Sequence, residues 1–155
     1  MRAALAVTSA CLALSACVTT GGEYPRVRYA RAAEAGPVAM SLVGRPTVEQ
    51  LSDAQDRWGR AIADAYACRI DPLAVSEAGV VGALELGAMS AASRGRETPA
   101  EGVIDYLGAL GRRAGGGQAP DRLRCERLRE WVGDVRREGR ELLLETGERY
   151  LLPPG

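Results

Sequence analysis

The side chains that could do acid–base chemistry in this sequence are few, and two acids stand apart from the rest. Glu77 and Glu85 are the only charges between Pro72 and Ser93, a run otherwise made of small and apolar residues. A carboxylate in such surroundings needs a partner or takes a raised pKa. On a helical wheel Glu77 falls beside Val80 and Leu84, inside one apolar face and in the second turn of a predicted helix. That makes it the candidate general acid, or a group that orients a ligand in a bundle pocket. Glu85 is its one companion, about 12 Å further along the axis and about 80° around it. Inverting glycosidases hold their carboxyl groups about 6.5–9.5 Å apart, so the pair is wide even for them. The plainer reading is an internal ion pair between Glu77 and Arg69, Arg122 or Arg124, because structural pairs perturb acids too.

The absences narrow the chemistry further. The chain has no His and no Phe, and all of its 20 basic residues are Arg. Without His or Lys there is no Ser-His or Ser-Lys dyad and no Schiff base. Imidazole metal sites and the Glu-x-x-His pattern of di-iron bundles are excluded as well. No cofactor or metal is expected, and the protein reads as a non-enzyme.

Four cysteines remain: Cys11, Cys17, Cys68 and Cys125. Cys17 closes the stretch Leu14-Ser15-Ala16-Cys17, which follows a basic start at Arg2 and an apolar run from Ala3 to Leu12. That run is too short to span a bilayer as a mature helix. The pattern resembles the lipobox of bacterial lipoprotein precursors. The resemblance covers about twenty residues, as export signals do. It implies that residues 1–16 are a signal peptide and that Cys17 carries a diacylglyceryl group and an N-acyl chain. Each buried methylene contributes about 0.8 kcal/mol, and two chains or more make a stable anchor. Val18 after the anchor, rather than Asp, resembles the sorting pattern of an outer-membrane lipoprotein facing the periplasm.

Cleavage before Cys11 would leave too short an apolar core and would strand Cys17 as an odd thiol. Cleavage before Cys17 consumes that thiol and leaves Cys68 and Cys125, a pair suited to an oxidising compartment. The alternative for these two is a pair of unbonded buried thiols. Two ligands without His make a metal site improbable.

The elements that must position these groups are helical throughout. Residues 17–46 carry Gly21-Gly22, Pro25, Gly36-Pro37 and Gly44-Arg45-Pro46, punctuation that predicts a flexible tether with at most a helical turn near Arg28–Ala35. Arg26, Arg28 and Arg31 read as solvated linker charge rather than lipid contacts. Thr47-Val48-Glu49-Gln50 is a capping box that opens a first helix, ending near Arg69, with Val48, Leu51, Trp58, Ile62 and Tyr66 on one side. Asp71-Pro72 opens a second, apolar nearly all round and therefore central. Its faces are Leu73, Val80, Leu84 and Ala91 on one side and Val75, Leu86 and Met89 on another. Gly79, Ala83, Gly87 and Ala91 add a smooth ridge for close packing; two carboxylates argue against membrane insertion.

Thr98-Pro99-Ala100-Glu101 is a second capping box, opening a helix to Arg112-Arg113, and Gly115–Gly117 forms a hinge. Pro120-Asp121 opens the longest helix, closed by Gly147, with Cys125, Leu128, Trp131, Val132, Val135, Leu142 and Leu143 as its stripe. Arg122–Glu126 and Arg137–Glu141 are its i,i+4 pairs. Its arginines are interleaved with acids, and the net charge of the chain is zero, so no nucleic-acid footprint follows.

The expected architecture is all-α: a four-helix up-down-up-down bundle over residues 47–149, with 150–155 as a tail. In that topology the end of the first helix and the start of the fourth share one end of the bundle. Cys68 and Cys125 fall there and are expected to bond. The expected function is a membrane-tethered module that binds an envelope protein partner or steadies an envelope assembly. The alternatives are a carrier for a small apolar ligand near Glu77 and, well behind, an acid-dependent hydrolase using Glu77.

Overall fold

A computed structural model describes residues 24–94, 106–108, 110 and 120–151. The expected signal peptide, Cys17, the expected capping box at Thr98 and hinge at Gly115, and the last four residues lie outside this set. Every regular element among the described residues is helical. They are α1 (Tyr29–Ala35), α2 (Pro37–Val43), α3 (Val48–Ala67), α4 (Pro72–Arg94) and α5 (Arg122–Leu151).

The long helices begin where local chemistry dictates. The Thr47 hydroxyl accepts from the Gln50 amide at 3.1 Å, and the Gln50 side chain accepts from the Thr47 amide at 2.9 Å. Asp71 accepts from the Ala74 amide at 3.1 Å, with Pro72 at the first helical position of α4. Asp121 does the same for Arg124 at 2.8 Å at the head of α5. Each cap satisfies an amide that the helix itself leaves orphaned.

At its C-terminus α3 closes with paired bonds, Arg69 N–H to Tyr66 C=O at 3.0 Å and Ile70 N–H to Ala65 C=O at 3.2 Å. This Schellman pattern puts Arg69 in the left-handed region, with φ +53°. Helix α5 runs through Gly147 to Leu151 instead of stopping there. A single helical glycine costs only about 1 kcal/mol against alanine, and nothing in that stretch forces the left-handed turn that ends a helix.

The contacts fix the direction of each rod. Trp58 meets Trp131, with ring centroids 5.6 Å apart, while Asp64 meets Arg124 at 2.6 Å, so α3 runs antiparallel to α5. Glu77 meets Arg136, and a Cβ on Gly139 would lie 2.2 Å from Val81, so α4 and α5 run the same way. Trp58 presses on Gly82 so closely that a Cβ there would sit 2.7 Å from its ring. A tight approach to α4 is therefore made at Gly82, beside the predicted ridge. The core between the three rods contains Leu51, Trp58, Ile62, Val75, Leu86 and Leu128, all buried.

Residues 24–46, expected as a flexible tether, are folded onto this core instead. Val27, Tyr29 and Ala32 are buried, and α1 packs against both α4 and α5. The Trp131 indole donates to the Pro25 carbonyl at 2.8 Å, Tyr24 lies 5.8 Å from Trp131 centre to centre, and Arg31 pairs with Glu141 at 3.2 Å. Glycine and proline here limit helix length; Gly36 and Gly44, both at positive φ, separate and end two short helices. Breaking a helix into turns does not prevent an aromatic or β-branched residue in each turn from packing.

Cys68 and Cys125 form a disulfide, with Cα atoms 5.4 Å apart. It ties the end of α3 to the start of α5. The closed loop spans 57 residues, which contributes about 4 kcal/mol by restricting the unfolded chain. Reduction, or the C68A/C125A double variant, is expected to lower unfolding free energy by about that amount, read from denaturant midpoints with and without dithiothreitol. Arg69→Gly is expected to raise stability by about 0.5–1 kcal/mol, because glycine takes the left-handed cap without steric cost; urea melts of the two proteins decide it.

Candidate functional site

The acid enclosed by the fold is Glu85, not Glu77. Glu85 is 2 % exposed. Its two oxygens accept three backbone N–H groups, from Arg28 at 3.0 Å, Tyr29 at 2.9 Å and Ala30 at 2.8 Å. These are the orphan amides at the head of α1, and no local side chain caps them. An acid from the middle of α4 supplies a cap from 55 to 57 residues away, and its negative charge also meets the positive end of the α1 dipole. Burial pushes the Glu85 pKa above the ordinary value, and the three amide donors pull it back only in part.

Glu77 stands at the protein surface, its side chain 37 % exposed. It accepts from Arg136 at 2.5 Å, with Arg140 at 3.8 Å. The expected ion pair is therefore real in kind, but its partner comes from the middle of α5 rather than from Arg69, Arg122 or Arg124. The hydrogen bond from Arg136 holds the Glu77 carboxyl below its ordinary value.

The two acids part company because α4 is apolar nearly all round, so its pattern cannot choose which side faces in. Val75, Leu86 and Met89 are buried, while Leu73, Val80 and Leu84 are 65 %, 53 % and 42 % exposed. The 80° step between the acids, about that by helix geometry, then puts Glu85 inside and Glu77 outside. Neither acid has a charged residue three or four positions away on its own helix, so no local signal separates them. On α5, the Arg122–Glu126 pair forms at 3.0 Å. Arg137, however, pairs with Asp134, and Glu141 turns to Arg31.

Two tyrosines complete the polar interior. Burial holds the Tyr29 phenol above its usual pKa, with Arg28 pulling it down and Glu85 pushing it up. Tyr106 is buried beside Gly79, and its hydroxyl has no hydrogen-bond partner among the described residues. Burial, reinforced by Tyr66, raises its pKa above the ordinary phenol value. Among the described residues no three metal-ligating side chains converge.

Three open clefts among the described residues lie elsewhere. One of about 390 Å³ runs along α5 between Tyr24, Arg26, Glu130, Asp134 and Glu138. A second, about 280 Å³, lies between Tyr24, Arg57, Arg60, Ala61 and Arg124. A third, about 490 Å³, is walled by Pro37, Met40, Arg45, Ala91 and Ala92. Neither Glu77 nor Glu85 lines any of the three. The chain matches no known protein family, no curated protein and no solved structure.

The two acids are expected to shape the pH dependence of stability in opposite senses. The contribution of Glu77 is present above the ordinary glutamate range and is lost as pH falls through its lowered value. Glu85 is raised, so its ionisation costs stability; the fold gains as pH falls through that raised value, and the gain is complete below the ordinary range. Urea midpoints between about pH 7 and about pH 3 should show that E77Q loses less stability at the acid end, and that E85Q lacks the gain. Glu85→Ala orphans three amides and is expected to cost about 3 kcal/mol, with faster hydrogen exchange at Tyr29 and Ala30.

Proposed function

We propose that this chain is a lipid-anchored helical module of the bacterial envelope, held at the outer membrane through Cys17, and that it binds a protein partner rather than catalysing a reaction. The observation that carries the non-enzymatic reading is the use already made of its two isolated acids. Glu85 is consumed as the cap of α1, and Glu77 is neutralised by Arg136. Neither lines any of the three clefts formed among the described residues. This argues against the hydrolase, and also against a ligand carrier built around Glu77. The Cys68–Cys125 bond supports an exported protein, since such bonds persist in oxidising compartments.

The partner surface we favour is the outward side of α4. Leu73, Val80 and Leu84 recur at helical spacing on that side and are exposed. Aliphatic side chains grouped on one face are the usual mark of a docking surface. Helix α4 is also long and apolar enough to cross a membrane, yet its other side is committed to α1, α3 and α5.

The finer architecture belongs to the same proposal. Helix α4 ends at the pole opposite the start of α5, so the chain must travel back between Arg94 and Asp121. A rod opened by the Thr98 capping box and ending at Arg113 would make that return. With α3, α4 and α5 it would complete an up-down-up-down four-helix bundle.

Two measurements test the function. Cells fed radiolabelled palmitate are expected to label the protein, and Cys17→Ser to abolish the label. A photo-crosslinking residue at Val80 is expected to give one discrete protein adduct in intact cells, while the same residue at Arg137 gives none. Identical smears from both positions, or no adduct from Val80, would remove the partner reading.

A further inference from the structure

Tyr24, the first described residue, stands only seven residues after Cys17. A fully extended chain advances at most about 3.6 Å per residue, so the span from Cys17 to Tyr24 cannot exceed about 25 Å. An anchored body on so short a lead cannot stand far off the leaflet, and the surface around Tyr24 is the part that the lead brings nearest to it.

Tyr24 is one wall of the cleft whose other walls are Arg57, Arg60, Ala61 and Arg124. Among the described residues three guanidinium groups line it. Arg124 also holds Asp64 at 2.6 Å, which keeps that guanidinium in place. Arg60 is exposed at the mouth. On the other flank of Tyr24 the cleft along α5 is lined by Glu130, Asp134 and Glu138, against Arg26 and Arg127. Tyr24 therefore stands between an arginine-lined cleft and an acid-rich one. An anionic surface attracts the first and repels the second, within a screening length of about 8 Å.

We propose that the Tyr24–Arg57–Arg60–Arg124 cleft binds the phosphate of an anionic phospholipid headgroup in the leaflet that holds Cys17, and so fixes which side of the bundle faces the membrane. This rests on the lipid anchor proposed above. Planar guanidinium forks match phosphate oxygens two at a time. A basic residue at an anionic surface strengthens attachment about fivefold.

The test uses protein purified from cell membranes, with the acyl mass on Cys17 read first. The protein is placed on vesicles of phosphatidylcholine alone, or with one third phosphatidylglycerol, and arginines are modified with phenylglyoxal. Retention on the neutral vesicles reports the anchor; the difference between the two vesicle types reports the cleft. Arg60 is expected to react about fivefold more slowly on the anionic vesicles. Arg140, beside Glu77, is expected to react equally on both. Inorganic phosphate added to the neutral vesicles is expected to leave Arg60 unchanged. Equal Arg60 rates on the two surfaces overturn the proposal, as does protection by inorganic phosphate alone, which would make the cleft a site for a soluble anion. If Cys17 carries no acyl mass the anchor falls, and the unanchored protein is mixed with the same vesicles. Slowing confined to phosphatidylglycerol then still upholds the headgroup site, and equal rates overturn it.

Discussion

One carboxylate decides how the first part of this molecule is attached to the rest. A seven-residue helix is too short to be stable alone, because its nucleus is costly and the amides at its head lack a partner within it. Glu85 supplies acceptors to three of those amides from the interior of another helix. The exchange is mutual. Without those donors the carboxylate would be an isolated charge in an apolar core, among the costliest things a fold can contain. Helix α1 and the acid are each untenable without the other, so the leading segment is an integral layer of the body.

The same logic explains why α4 can be so nearly featureless. A helix flanked on several sides needs apolar surface on several sides, and α4 packs on α1, α3 and α5 at once. Its glycine at position 82 lets the Trp58 ring lie against the backbone, and Gly139 of α5 lets Val81 do the same from the other direction. A bulky side chain meets a missing one at both contacts. In this way a chain with no phenylalanine fills its interior with two tryptophans and aliphatic residues.

Much of this was legible in the amino-acid order, and the parts that were not share a cause. Helix starts were legible at Thr47, Asp71 and Asp121 because capping is a transaction among four neighbouring residues. The meeting of Cys68 and Cys125 was legible from topology, since both fall at helix ends that alternation brings to one pole. The inside of α4 was not legible, because a uniform apolar run has no preferred azimuth. Its orientation is set by the amides of residues 28–30 and the guanidinium of Arg136, which local spacing does not reveal. The docking of residues 24–46 was missed for a related reason: Gly36 and Gly44 report where a helix must stop, and are silent on whether its turns find a groove.

The covalent link between Cys68 and Cys125 also has a topological meaning. It turns residues 68 to 125 into a closed ring from which α3 and α5 emerge as two arms. A protease that severed this ring once, anywhere along it, would not divide the molecule. The two fragments would migrate as one species until a reductant parted them.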